Sequence, residues 1–185
     1  MRLARVFAGL TAACVLSLSF TTVPVKAQAP GTDATIASVK GLYEVVKGFV
    51  TKAAAQVPED KYKYQATKDV RTFAQLFGHV ANASALFCNT ASGMTGAQAA
   101  DAEKLTSKAE LQKALAAAFS TCDHAFQMIT AAKANEGVEL FGQKHTRIGA
   151  MAFNNAHIYE HYGNIVTYMR LNGMVPPSSA GGGGN

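Results

Sequence analysis

The segment His157-Ile158-Tyr159-Glu160-His161 carries the densest chemistry in the chain. At about 100° per residue, helix positions four apart differ by roughly 40° and share a face. His157 and His161 would then point the same way, one turn apart, a spacing that lets two imidazoles hold one metal ion. Asn154, Asn164 and Tyr168 fall near the same direction. Polar groups gathered like this are costly to bury without partners. Either the face meets solvent or its groups surround something that satisfies them. Tyr159 and Arg170 lie near the opposite side of the helix, so the histidine face is read as turned inward.

The string His-x-x-Glu-His is also a metalloprotease signature, with Glu160 as general base. That chemistry needs a further ligand, usually acidic, later in the chain. From Tyr162 to Asn185 there is no Asp or Glu, which argues against a protease. Glu160 flanks the histidine face and is a candidate outer partner of the ligands, with Asn82, Asn164 and Tyr168. The third ligand must come from elsewhere. His79 sits among Phe73, Leu76, Val80 and Leu86 on another apolar stretch, with Thr72 and Gln75 on its face and Asn82 beside it. A lone core histidine is more often structural, but an inward pair on a second helix favours ligation. His124, next to Asp123, reads as a surface residue, and His145 is a reserve ligand at a helix start. Cys88 is nine residues after His79, roughly half a rotation round a helix, so it should face away from the metal.

The elements that must position these groups are helical. Apolar residues recur at three- and four-residue spacing, and alternating runs are absent. A first helix is expected over 35–56, with Leu42, Val45, Val46, Phe49 and Val50 on its apolar stripe and Pro58 beyond its end. A second is expected over 69–89, with Phe73, Leu76, Val80, Leu86 and Phe87. Ser107-x-x-Glu110 reads as a capping box that opens the third, which runs towards Asn135 and Gly137. The fourth starts at His145 or Thr146 and reaches Asn172, where Gly173 suits a left-handed cap and Pro176-Pro177 forbid continuation. Four helices of about 20 residues with one long connection give an all-α four-helix bundle.

The first 27 residues are set apart. Arg2 and Arg5 precede an apolar run from Val6 to Phe20, and Val25 and Ala27 suit a cleavage site, the layout of a secretory signal peptide. The run is about 15 residues, short of the roughly 20 that span a bilayer. Cleavage leaves no stable membrane insertion and places residues 28–178 in one exported domain, periplasmic or secreted, followed by a Gly-rich tail over 179–185. Removing Arg2, Arg5 and Lys26 takes the formal charge from +5 to +2. The remaining lysines form no basic stripe interleaved with aromatics, so no nucleic-acid partner is expected. Cys14 leaves with the leader. Cys88 and Cys122 remain as one candidate disulfide in an oxidising compartment, the alternative being two buried free thiols.

With these residues assembled, the chain resembles the DinB/YfiT-like superfamily. The resemblance rests on Phe77-Gly78-His79-Val80-Ala81, the Val70-Arg71-Thr72-Phe73 entry to the second helix, and the late His157-x-x-x-His161 helix. That helix runs on through Tyr162-Gly163-Asn164-Ile165 and Tyr168-Met169-Arg170-Leu171-Asn172-Gly173 into Val175-Pro176-Pro177. It covers roughly residues 35 to 178 and implies a four-helix bundle with a divalent site on His79, His157 and His161. Related proteins include thiol S-transferases and a thiol-dependent isomerase, and many have no assigned activity. Export would set this chain apart, because low-molecular-weight thiols are scarcer and more oxidised outside the cytoplasm. The family name reflects DNA-damage induction of a relative and implies no DNA contact.

Three neutral imidazoles suit Zn or Ni first, and also Fe or Mn. They leave a coordination position open, the layout of a catalytic zinc site. A water, a thiolate or a carbonyl oxygen could occupy it. The expectation is a metal-dependent enzyme, hydrolase- or transferase-like, acting on an unidentified small molecule, with a homodimer left open. The alternatives are a non-catalytic metal-binding or stress-associated bundle, or an interaction module with a degenerate site.

Overall fold

The protein is described from a computed structural model covering residues 31–94 and 100–181. The expected leader, Cys14 and the end of the Gly-rich tail lie outside these residues. Four helices dominate: α1 (Gly31–Gln56), α2 (Phe73–Ser92), α3 (Lys108–Met128) and α4 (Arg147–Leu171). Among the described residues no helix is long and apolar enough to cross a membrane.

Helix boundaries follow from local chemistry. Thr72 caps α2 by accepting from the Gln75 amide while the Gln75 side chain accepts from the Thr72 amide. This reciprocal box satisfies two otherwise orphaned donors and starts α2 at Phe73, later than the expected Asp69. Gly93 ends the helix in the left-handed region, at φ 74°. At α3, Ser107 accepts from the Glu110 amide, but its hydroxyl donates to the Glu110 carboxylate at 2.6 Å. The cap is therefore one-sided rather than the expected box. Thr146 caps α4 through the Gly149 amide at 3.0 Å, and Gly173 follows its end at φ 72°.

One element departs from the all-helical expectation. Helix α3 stops at Met128, and β1 (Gly137–Leu140) pairs antiparallel with β2 (Gln143–Thr146) ahead of α4. Phe141 and Gly142 turn the hairpin with φ of 52° and 74°. Two positive φ values give the two-residue turn whose twist matches the strands. Four-residue strands are too short to show a period.

Helix α2 packs between α3 and α4, and α1 closes the other side against the same two helices. The core joins Tyr43, Val46 and Val50 of α1 to Phe77 and Phe87 of α2, Leu111 and Phe119 of α3, and Ile158 and Ile165 of α4. Each such side chain contributes about 1.5–3 kcal/mol through burial. Leu42, Val45 and Leu86, expected on core stripes, are exposed, and Tyr43 takes the inward position on α1 instead. Cys88 and Cys122 are joined, with Sγ–Sγ 2.01 Å, and tie α2 to α3.

Candidate metal centre

Helices α2 and α4 lie side by side, and their register brings three imidazoles together. His157 Nε2 is 3.2 Å from His79 Nε2 and 3.1 Å from His161 Nε2. One ligand atom from each residue falls within 4.8 Å of the others, so the cluster could hold a metal ion. His161 is buried, whereas His79 and His157 are half-buried. Phe87 stands edge-on to His157 at 5.3 Å between ring centres and walls one side of the cluster.

The electrostatics keep the His157 and His161 rings neutral. Burial, then the neighbouring His161 and His79, push His157 down to about 4. Burial, then His79, also shifts His161 downward. Ligation needs an unprotonated imidazole nitrogen, and neutral rings supply one without first losing a proton. The Nδ1 atoms of His157 and His161 are buried and, among the described residues, have no hydrogen-bond partner.

His79 differs from the other two. Its Nδ1 lies 2.6 Å from Glu103 Oε1, and Arg71 Nε donates to Glu103 Oε2 at 3.0 Å. Burial alone would raise the Glu103 pKa. The hydrogen bonds from His79 and Arg71, with the Arg71 charge, outweigh it and hold the carboxyl below its ordinary range. Glu103 sits on the 3-10 turn Ala102–Lys104, within the long α2–α3 connection.

Beside His161 a groove of about 620 Å³ opens, also lined by Lys68, Arg71, Glu160, Asn164 and Tyr168. Tyr168 donates to the Arg71 carbonyl at 2.8 Å and so fixes that wall to α4. The outer candidates read from the sequence thus separate. Glu160, Asn164 and Tyr168 line the groove. Asn82 instead holds the turn, donating to Asp101 Oδ1 at 2.7 Å and accepting from the Ala102 amide at 2.9 Å. His145 lies on β2, where its ring is against Phe153 and apart from the cluster, and His124 is exposed.

Glu103 and the groove-facing role of Arg71 were not legible as site features. Their one signal was an acidic pair, Asp101 and Glu103, within a connection otherwise rich in small residues.

A sequence profile of the DinB superfamily matches residues 23–165. The chain belongs to the DinB superfamily. Solved DinB-like structures share the fold. One from Bacillus cereus superposes with a TM-score of 0.67 at 14% identity, covering 77% of this chain and 95% of its own. Another, from Bacillus subtilis, gives 0.60 at 16% identity, covering 75% and 93%. No curated protein matches the sequence. The three histidines of this DinB-superfamily chain thus sit in a fold shared with those solved proteins, whose low identity speaks to the fold alone.

Proposed function

We propose that this DinB-superfamily protein binds one divalent transition metal through His79, His157 and His161, and is a metal-dependent enzyme of hydrolase or transferase type. The observation that carries the reading is the meeting of three Nε2 atoms whose contacts are with one another. Zn and Ni suit a set of neutral imidazoles, and Fe or Mn are compatible. When bound, such an ion would supply Lewis acidity towards an oxygen or sulfur donor of a substrate.

The chain's own groups supply the rest. His79, held at Nδ1, presents Nε2, and the neutral His157 and His161 rings complete the set. The groove offers Lys68 and Arg71 to negative groups, Glu160 to positive ones, and Asn164 for hydrogen bonding, so it suits a small polar molecule. The leader layout of the first 27 residues and the Cys88–Cys122 bridge support an exported location.

A second reading is a non-catalytic metal-binding bundle. It is favoured by Glu103, the carboxylate in contact with the cluster, whose two oxygens are both engaged, one by His79 and one by Arg71. Elemental analysis of untagged protein tests the shared claim. About one equivalent of a transition metal is expected, and His157→Ala should abolish it. Less than about a tenth of an equivalent after reloading would refute both readings. Cobalt substitution separates them: an enzyme's open position should bind added azide and change the visible spectrum, whereas a closed shell should not respond.

A further inference from the structure

We propose that Glu103 is a positioning residue for the metal centre: its carboxylate holds the proton of neutral His79 on Nδ1 and leaves the Nε2 lone pair facing the cluster. Its consequence for metal affinity rests on the metal reading above; the tautomer it sets does not.

The geometry is specific. A carboxylate can only accept, so the 2.6 Å contact requires hydrogen on His79 Nδ1. The neutral ring then has no hydrogen on Nε2, the atom that meets His157 and His161. The second Glu103 oxygen accepts from Arg71 Nε, so both oxygens are engaged and the two bonds together orient the carboxylate.

The chain builds a platform to hold this carboxylate. Glu103 belongs to the 3-10 turn Ala102–Lys104, which lies directly on α2 at Gly78, one residue before His79. A Cβ on Gly78 would overlap the Ala102 carbonyl and sit 2.7 Å from the Glu103 amide nitrogen. Glycine is what allows that approach. One turn further along α2, Asn82 grips Asp101 and the Ala102 amide. Asp101 in turn accepts from the Glu103 amide at 3.1 Å. Gly78, His79 and Asn82 thus receive one short turn, and the turn returns a single carboxylate to the ring. Partners of this kind orient ligand rings and raise their basicity, and their loss typically costs 10–100-fold in metal affinity. Among the described residues His157 and His161 have no such partner, so there the pre-setting belongs to His79.

The test is long-range proton–nitrogen NMR of the metal-free full chain at pH 7.5, which reports the tautomer of each histidine. Wild-type His79 should be protonated on Nδ1. Glu103→Ala should move the proton substantially to Nε2, while Glu103→Gln, whose single amide oxygen is also claimed by Arg71, should fall between wild type and alanine. Zinc affinity should fall 10–100-fold in Glu103→Ala and recover in part in Glu103→Gln. A wild-type His79 protonated on Nε2, or a tautomer indifferent to Glu103→Ala, overturns the proposal. The wild-type measurement decides even where the alanine variant does not fold. Should wild type bind no zinc, the metal reading falls, and the NMR result still decides the role of Glu103.

Discussion

His157 and His161 place their Nε2 atoms 3.1 Å apart, one turn apart on α4, and both rings bury an Nδ1 that finds no partner among the described residues. Such an arrangement is poor as a hydrogen-bonded core and favourable as a pair of neutral lone-pair donors.

The first consequence is a pH dependence of the metal-free fold. In the unfolded chain His157 titrates near 6.5, and in the native state burial lowers it to about 4. Between those values the unfolded state binds more protons, so acid favours unfolding. Stability is full above about 6.5 and falls as pH drops through 4. The whole shift corresponds to about 3 kcal/mol. Solvent reaches the half-buried ring, which reduces this to roughly 1–2 kcal/mol. Urea unfolding of metal-free protein at pH 7 and pH 4.5 measures it, and His157→Gln should reduce the difference without removing it, because His161 is shifted downward as well.

Metal loading should stabilise the fold by mass action. At free metal about 100 times Kd the gain is about 2.7 kcal/mol. For a domain of this size that raises Tm by roughly 5–11 °C. His157→Ala should remove the metal-dependent rise while leaving metal-free protein as stable as wild type or more so, because it deletes a buried orphan nitrogen. Calorimetry with and without zinc or nickel reads both effects.

The Cys88–Cys122 bridge spans 34 residues. Closing a loop of that length constrains the unfolded chain by roughly 3–4 kcal/mol. A Cys88→Ser/Cys122→Ser variant should therefore unfold at clearly lower urea. Zinc affinity should stay within a few-fold of wild type, because the bridge joins α2 to α3 and the ligands lie on α2 and α4. A thiol assay on denatured protein lacking residues 1–27 should find almost none.

What the sequence could and could not disclose follows from range. Helical period and caps are local, so α1 to α4 were legible, their bounds to within a few residues except the end of α3, which stops at Met128 rather than near Asn135. The shared face of His157 and His161 was legible too. Burial is not local. Leu42 and Val45 carry the same apolar signal as Val46 and Val50, yet only the latter meet α3 and α4. The hairpin escaped notice because its turn is Phe141-Gly142, where the usual signal would be Asn-Gly. Glu103 escaped because its partner is 24 residues away and the link between them depends on backbone packing. Asn82 was noticed for its position beside His79, but its side chain serves the turn.

That backbone packing gives the last prediction. Gly48 and Gly78 both lie inside helices, where alanine is ordinarily better by about 1 kcal/mol. A Cβ on Gly48 meets nothing within 4 Å, so Gly48→Ala should stabilise the protein by roughly that amount. A Cβ on Gly78 meets the backbone of Ala102 and Glu103, which cannot swing aside as a side chain could. Overpacking of this kind costs about 1–3 kcal/mol, enough to cancel and reverse the helix gain. The turn relaxes by moving off α2, which draws the Glu103 carboxylate away from His79. Gly78→Ala should therefore lower both the urea midpoint and zinc affinity, whereas Gly48→Ala raises the first and leaves the second unchanged. Equal effects of the two substitutions would show that the turn does not bear on α2 as described.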